Sequence, residues 1–313
     1  MPKDSELPIV DEAPTNPWLR PQAALGAARQ ALAARAAAYL EAGVAVILCG
    51  APGSGKTALA LRLASRRQRP VHVLTGHAAL EEVDLVGRIT GLDIERTRDR
   101  FVHSVVKTRE RQREGWDDGP LVRALRDGGT FVFDEITRAP TSVTARLLSV
   151  LEERLLVCPS RAFAEPVVAA EPGFAVVFTG NPPTMGGTTA LPQALTDRLI
   201  TLRLPPIQSD EVAEVLAVRT GLAPEACRAI SVAVQARQRS TENDAAHSVR
   251  PALTVARIVR HHRIAADARD PAFRALVDDV LGPERARTAA GEDAESTLAS
   301  TAREGAAWQT RSN

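Results

Sequence analysis

The chain has 313 residues, enough for about two domains of ordinary size. Its composition, with 44% hydrophobic and 25% charged residues, is that of a globular protein, and a formal net charge of +1 provides no bulk field that would attract nucleic acid or an acidic membrane. The three cysteines are far apart and form no CxxC pair, which argues against a disulfide framework or a zinc site and suits a reducing cytosol.

The first two-thirds of the chain alternate short apolar runs with helical patterns. Residues 1–20, rich in proline and charge, predict a flexible N-terminal arm, and the alanine-rich segment 21–42 predicts a helix that ends at Gly43. Five apolar runs predict strands at 44–49, 71–74, 130–133, 174–179 and 199–204. Residues 141–156 carry leucines at helical spacing and predict one helix. This alternation predicts βαβ units, a parallel sheet and an α/β core over residues 21–205.

Beyond Pro205-Pro206 the strand patterns stop and helix signals follow one another. A helix capped by Ser209 and ending near Gly221 comes first. Three further helices are predicted to begin at Pro224, at Arg250-Pro251 and at Asp270-Pro271. We therefore expect a small all-α domain at 206–282, followed by a flexible tail at 283–313 with few large apolar residues.

No segment of the sequence predicts a membrane or secretory element. The longest apolar stretch, around Val44–Cys49, is far too short to span a bilayer, and the first residues lack the apolar core of a signal peptide. We expect a cytoplasmic protein without membrane insertion.

The first strand leads into GAPGSGKT, which fits the phosphate-binding pattern GxxxxGK[ST]. Glycines let the backbone N–H groups face a phosphate chain, and the following helix adds the positive end of its dipole. A chance glycine-rich turn is the alternative, but the strand before and the helix after the motif favour phosphate binding. Lys56 would contact the β- and γ-phosphates, and the Thr57 hydroxyl would bind Mg²⁺. The predicted nucleotide-binding residues are Gly50, Ala51, Pro52, Gly53, Ser54, Gly55, Lys56 and Thr57.

Two adjacent acids, Asp134 and Glu135, follow the apolar strand 130–133. In P-loop enzymes a strand beside the first one ends in an aspartate that holds Mg²⁺, which is the role predicted for Asp134. Glu135 next to it suits a general base for the attacking water. Two solvated acids at a strand end are the alternative, which a neighbouring P-loop makes weak.

A polar amide follows the strand at 174–179. If that strand lies between the P-loop strand and the acid-bearing strand, Asn181 could orient the lytic water. The alternative is a turn residue, since Asn-Pro is a common turn signal.

Three arginines are candidates for contacts with the nucleotide phosphates: Arg138 after the acids, Arg198 before the last strand, and Arg250 at the start of a helix in the second domain. A single arginine is usually part of a solvated face or a surface ion pair. Phosphoryl transfer, however, gains from cations that reach the γ-phosphate from outside the P-loop.

Together these features resemble an AAA+ ATPase of the MoxR branch over about residues 21–280. GAPGSGKT is similar to Walker A, FVFDE to Walker B, TGNP to a sensor-1 segment, and SVRPA to the sensor-2 arginine of a lid. DEITRAP, LLSVLEER and ALTDRL are similar to the MoxR branch. The resemblance implies a three-layer P-loop (AAA+) core with five parallel strands, a small C-terminal lid, and ATP with Mg²⁺ bound between them. It also implies Arg198 as a finger offered to a neighbouring subunit in a homo-oligomeric ring, usually a hexamer.

A narrower resemblance lies between the second strand and Walker B. VDLVGRITG, DRFVHSVVKTRE and GWDDGPLVRALRDGG are similar to the gas vesicle protein N (GvpN) family, although Ile136 and Gly180 depart from its usual residues. It implies an ATPase that remodels gas vesicle wall or accessory proteins. A MoxR-type chaperone that matures another complex, a non-catalytic nucleotide-binding scaffold and a DNA-remodelling ATPase are the alternatives. Glu135 and Asn181 argue against the scaffold, because a pure binder needs neither, and the near-neutral charge argues against nucleic acid as a partner.

Overall fold

The computed structural model describes residues 25–101, 105–158, 167–181, 190–240 and 248–282. The predicted arm at 1–20 and the predicted tail at 283–313 therefore lie outside the described residues. The strands are β1 (Ala45–Cys49), β2 (Val71–Thr75), β3 (Gly87–Phe101), β4 (Val105–Asp118), β5 (Thr130–Asp134), β6 (Leu155–Val157), β7 (Val167–Ala169), β8 (Ala175–Gly180) and β9 (Leu199–Arg203). The helices are α1 (Ala27–Glu41), α2 (Lys56–Arg66), α3 (Glu82–Val86), α4 (Pro120–Arg126), α5 (Thr141–Ala145), α6 (Leu147–Glu152), α7 (Gln193–Thr196), α8 (Ser209–Thr220), α9 (Pro224–Ser240), α10 (Val249–His262) and α11 (Pro271–Leu281).

Five strands form a parallel sheet in the order β2-β5-β8-β1-β9, and they are the five apolar runs from which strands were predicted. The last residue of β1, Cys49, pairs with Gly180 of β8 and with Arg203 of β9. On the other side, Thr75 of β2 pairs with Asp134 of β5. The carboxyl ends of the strands therefore meet at one edge of the sheet, with β8 between β1 and β5 as expected.

The sheet is covered by helices on both faces because its strands are apolar on both faces. Val46 and Leu48 of β1 face the cluster that contains α1 and α2, whereas Ile47 points to the opposite cluster with α3, α4, α5 and α6. Phe131 and Phe133 of β5 lie in that second cluster, fully buried, with their ring centroids 5.8 Å apart. Burying each ring contributes about 2–3 kcal/mol, so β5 is firmly held up to the acids that follow it.

The C-terminal helices α8, α9, α10 and α11 pack around a separate apolar core. Helix α11 begins at a side-chain cap. Asp270, the residue directly before Pro271, caps α11, because its side chain accepts a hydrogen bond from the Ala272 N–H. Helix α8 ends at Gly221, whose left-handed backbone (φ 68°) suits glycine. These helices form the expected small all-α unit.

The predicted helix at 141–156 is wrong in its second half. The helical segment ends at Glu152, Arg154 adopts a left-handed backbone (φ 56°), and Leu155–Val157 then pairs with β7. The leucines fit a helix and a strand equally well, and pairing with β7 decided between the two. Ser209 is likewise the first residue of α8 and not its cap; the cap is Gln208, which forms a capping box with Glu211.

The sequence analysis did not predict the two antiparallel ribbons β3-β4 and β6-β7. The longer one, β3-β4, leaves the core after α3 and returns to it before α4, and its main contacts with other described elements are with these two helices. At its base, Trp116 packs against the core and donates a hydrogen bond from Nε1 to Asp118. Within the described residues, no helix has both the length and the apolar composition needed to cross a membrane.

Candidate nucleotide-binding site

The loop between β1 and α2 has the backbone shape of a phosphate cradle. Gly53 and Gly55 adopt left-handed conformations (φ 75° and 86°), which glycine allows without strain. The chain then enters α2 at Lys56, so the N-terminus of an 11-residue helix points into the loop. The structure thus places residues 50–55 in a loop and Lys56 and Thr57 at the beginning of α2, the arrangement that phosphate binding requires.

Lys56 is held at the mouth of this loop. Its side chain is largely buried, and Nζ donates hydrogen bonds of 2.9 Å to the carbonyl oxygens of Gly50 and Ala51. Burial lowers the pKa of Lys56, while the nearby charges of Glu135 and Asp134 act in the opposite direction. A phosphate chain would supply the negative charge that this buried ammonium lacks.

Asp134 lies at the end of β5, directly opposite the beginning of α2. The Thr57 Oγ1 hydroxyl donates a hydrogen bond of 2.7 Å to Asp134 Oδ1, and the Thr179 hydroxyl at the end of β8 donates to the same oxygen. The hydroxyl and the carboxylate form a set of oxygen donors, which is the ligand type that Mg²⁺ prefers. The residues present therefore fit a magnesium ion between Thr57 and Asp134.

Glu135 follows in a strained backbone conformation. It has φ 53° and ψ 41°, a left-handed region that non-glycine residues enter rarely, and its N–H donates to Thr179 Oγ1 at 2.9 Å. Its carboxylate lines the cavity beside Lys56 and forms a 3.0 Å ion pair with Arg138. Arg138 therefore lies next to the acid of its own subunit.

Asn181 comes directly after β8, between the P-loop strand and the acid-bearing strand. The residue is buried, and its backbone N–H approaches Thr137 Oγ1 at 3.4 Å. Its side-chain oxygen is also buried and has no hydrogen-bond partner among the described residues. A buried amide oxygen of this kind normally binds water or a ligand.

The helical unit closes the site from the other side. The Val249 N–H at the start of α10 donates to the Gly53 carbonyl at 3.2 Å, and Ser248 caps the helix by accepting from the Arg250 N–H. Arg250 lines the same cavity, and its charge contributes to the lowered pKa of Lys56, which places the two cations near each other. The cavity measures about 440 Å³. Its apolar wall is formed by Leu25, Ile207, Val215, Val218 and Leu253.

A buried ion pair that the sequence analysis missed joins three parts of the site. Arg29 of α1 donates hydrogen bonds of 2.7 Å to the carbonyls of Ser54, in the P-loop, and Pro205, before the lid. Its Nε lies 3.7 Å from Glu211 of α8, whose other oxygen accepts the Gly26 N–H at 2.7 Å. Burial lowers the pKa of Arg29, and the charge of Glu211 opposes this effect.

A periodicity signal could have identified Arg29. It occupies the same face of α1 as the buried residues Leu32, Ala33, Ala36 and Leu40. An arginine on an otherwise apolar helical face needs a buried partner. Thr179 offered a similar signal, since it is a hydroxyl residue at the end of an apolar strand.

Arg198 lies at the opposite edge of the sheet from the P-loop. It directly precedes Leu199, which pairs with Ala45 at the start of β1, whereas the P-loop follows the end of β1. Strand geometry separates these two ends by roughly 13 Å. The Arg198 guanidinium is about one-third exposed and is bound by Glu152 at the end of α6. The structure therefore brings together all predicted site residues except Arg198.

A P-loop, two acids at the end of the neighbouring strand and a helical lid over a parallel sheet define an ATPase of the AAA+ class. The family described as AAA domain (dynein-related subfamily) matches residues 45–199. The chain is 36% identical to the gas vesicle ATPase GvpN of Ancylobacter aquaticus over 251 residues, which are 80% of this chain and 70% of that protein. It is 39% identical to the gas vesicle ATPase GvpN of Haloferax mediterranei over 53% of this chain and 48% of that protein. The chain belongs to the GvpN family of AAA+ ATPases.

Solved structures support the fold. A variant of Thermotoga maritima RuvB superposes with a TM-score of 0.52 over 84% of this chain and 73% of that chain, at 20% sequence identity. At this level of identity the similarity concerns the fold alone.

Proposed function

We propose that the protein hydrolyses Mg·ATP in a homo-oligomeric ring, with a hexamer as the expected size, and uses the energy to remodel protein partners in gas vesicle assembly. The observation that carries the catalytic part is the convergence of Lys56, Thr57, Asp134, Glu135 and Asn181 at one sheet edge, facing Arg250 of the lid. Each of these groups has a distinct use in phosphoryl transfer, and a protein that only binds nucleotide needs neither Glu135 nor Asn181.

The roles follow from the chemistry of the side chains. Residues Gly50–Thr57 bind the triphosphate, with Lys56 on the β- and γ-phosphates. Thr57 and Asp134 would hold Mg²⁺, which would neutralise charge at the phosphate oxygens. Glu135 accepts a proton from the attacking water, and the unpartnered oxygen of Asn181 orients that water.

Two arginines act from outside the P-loop in this proposal. Arg250 approaches the phosphates from the lid, and Arg138 holds the Glu135 carboxylate by its 3.0 Å ion pair. Both lie within the subunit that binds the nucleotide, so neither requires a ring.

Arg198 is the residue that requires a neighbour. It lies a strand length from its own P-loop and is partly exposed, so in this proposal it reaches the γ-phosphate of the adjacent subunit. Removal of an arginine finger lowers the turnover of such enzymes by roughly 10³–10⁵-fold. We therefore expect Arg198→Ala to bind ATP with unchanged affinity and to lose nearly all hydrolysis.

A mixing experiment tests the trans role of Arg198. Arg198→Ala and Lys56→Ala subunits are each expected to be inactive, and mixed rings should recover activity. Such rings contain interfaces with an intact P-loop on one side and an intact arginine on the other. ATPase rates are measured against the mixing ratio, with co-assembly verified by differential tags. Co-assembled rings without activity would contradict the trans role.

The partner in this proposal is a gas vesicle wall protein or an accessory protein, in the cytoplasm. Membership in the GvpN family supports it, as does the near-neutral net charge, which does not favour nucleic acid. Glu135→Gln loaded with ATP should retain partners long enough for capture from cells that form gas vesicles. Lys56→Ala is the matched control, and equal recovery with both variants would contradict ATP-dependent binding.

A further inference from the structure

Glu152 binds the guanidinium of Arg198 through two of its nitrogen atoms. Arg198 Nε and Nη2 donate to the same Glu152 oxygen at 3.0 and 2.6 Å, and Arg198 Nη1 donates to the Ala194 carbonyl at 2.6 Å. An arginine has five N–H groups, so these contacts leave two of them without a partner among the described residues. Two N–H groups are enough to bind a phosphate oxygen pair.

Both residues lie on backbone that the core holds in place. Glu152 ends α6, in which Val150 is buried in the core. Close by, Arg154 donates to the Phe174 carbonyl at 3.2 Å and lies over the Phe174 ring. Arg198 follows α7, in which Leu195 is buried, and precedes Leu199, which pairs with Ala45 of β1. The Glu152 carboxylate therefore joins the flexible end of the Arg198 side chain to a second fixed point of the fold.

The Glu152–Arg198 pair is poorly suited to stabilising the fold. The Glu152 side chain is 57% exposed and that of Arg198 is 32% exposed. Exposed ion pairs contribute little to stability. A free arginine side chain, however, loses rotamer entropy when it is held in one geometry. A carboxylate that already holds it removes part of that cost from the catalytic step.

We propose that Glu152 is a positioning residue for hydrolysis in the neighbouring subunit: it orients Arg198 so that its two remaining N–H groups face the γ-phosphate across the interface. This inference rests on the proposed trans role of Arg198. The inference gives a role to Glu152 of the LLSVLEER segment, a residue that does not belong to the ATP site of its own subunit.

The first test is the kinetics of Glu152→Ala, with Glu153→Ala as the matched control. Glu153 is the adjacent exposed acid, whose side chain has no partner among the residues that the structure describes. We expect Glu152→Ala to keep ATP affinity and melting temperature and to lose about 10- to 100-fold in kcat, the size of effect that misplacement of a catalytic group by about 1 Å produces. Glu152→Gln, which retains a neutral acceptor, should lie between Ala and wild type. A wild-type kcat for Glu152→Ala would overturn the inference.

Mixed rings separate a positioning role from a structural one. Glu152→Ala mixed with Lys56→Ala should recover activity, because the Lys56→Ala subunit offers a correctly held Arg198 to an intact P-loop. A mixture of Glu152→Ala with Arg198→Ala should be no more active than the two separate variants, because neither subunit offers an oriented arginine finger. The reverse pattern would show that Glu152 acts on its own P-loop and would overturn the inference.

The two proposals fail in different ways. If Arg198→Ala hydrolyses ATP at the wild-type rate, the trans role of Arg198 is wrong and the task assigned to Glu152 falls with it. If Arg198→Ala is inactive and rescued by Lys56→Ala, whereas Glu152→Ala is fully active, only the inference about Glu152 is wrong.

Discussion

Lys56 shows how a single side chain can be prepared for its ligand. Its ammonium is buried against two P-loop carbonyls, and its pKa is lowered mainly by burial. The sequence alone was sufficient to locate this residue, as well as Asp134 and Glu135, because each belongs to a short motif in a local strand context. It was not sufficient to locate Glu152, whose proposed role depends on contacts between segments far apart in the chain, and the strand-end signal of Thr179 was missed.

Lys56→Ala should abolish productive nucleotide binding. Each charge-assisted hydrogen bond contributes about 1.5–3 kcal/mol, so loss of the contacts of the ammonium with both the β- and the γ-phosphate should weaken ATP affinity by about 100-fold or more. The affinity is measured by calorimetry or with a fluorescent nucleotide. Lys107→Ala, a change in the ribbon strand β4, is the control and should bind normally. Hydrolysis at the wild-type rate in Lys56→Ala would contradict the assignment of the P-loop.

Glu135→Gln should separate binding from chemistry. The amide keeps the size of the side chain and leaves Thr57 and Asp134 in place, so Mg·ATP should bind with unchanged affinity. Loss of the general base should reduce turnover by roughly 10²–10⁴-fold. Single-turnover hydrolysis and equilibrium binding are measured on the same preparation. A decrease of less than about tenfold would assign the base to another residue.

At the level of elements, the predictable parts are those with an apolar signature. The five core strands were found because buried parallel strands are continuous apolar runs, whereas the β3-β4 ribbon is rich in charge and gives no such run. The boundary between α6 and β6 was missed because leucine fits both structures. The pair formed by Arg29 and Glu211 could not be predicted as a pair, since α1 and α8 meet only in the folded chain.

Glu211→Ala should destabilise the protein by about 3 kcal/mol. It leaves the buried charge of Arg29 without a counterion and removes the acceptor of the Gly26 N–H, and breaking such pairs typically costs about 3–5 kcal/mol. The low end is expected because Arg29 keeps its bonds to Ser54 and Pro205. Chemical denaturation measures the change, and Glu214→Ala on the exposed side of α8 is the control. Equal stability of the two variants would show that the pair contributes nothing.

At the scale of the whole molecule, the nucleotide cavity lies between two separately packed units. The core and the C-terminal helices have their own apolar clusters, and they meet at the P-loop through Gly53, Val249 and the pair of Arg29 with Glu211. The sequence predicted both units from the change in pattern after Pro205-Pro206. It did not predict the contacts between them, because hydrogen bonds between distant segments leave no periodic signal.

The β3-β4 ribbon should be separable from the ATPase fold. Joining Ile89 to Trp116 through a two-residue Asn-Gly turn keeps the paired base of the ribbon and removes the rest. Because the main contacts of the ribbon are with α3 and α4, the shortened protein should keep its melting temperature and its ATP affinity. Thermal denaturation and nucleotide titration measure both. An unfolded product would show that the distal ribbon packs on the core.

The left-handed backbone of Glu135 has a consequence for how the protein can evolve. A glutamate at φ 53° carries a backbone strain of order 1 kcal/mol. Asparagine tolerates the left-handed region better and would relieve this strain. Replacing Glu135 by asparagine should therefore stabilise the backbone at the position where hydrolysis is expected to depend on the glutamate side chain. Selection for thermal stability alone would drive this position away from glutamate, so a stabilised homologue with asparagine there should be suspected of having lost its enzymatic turnover.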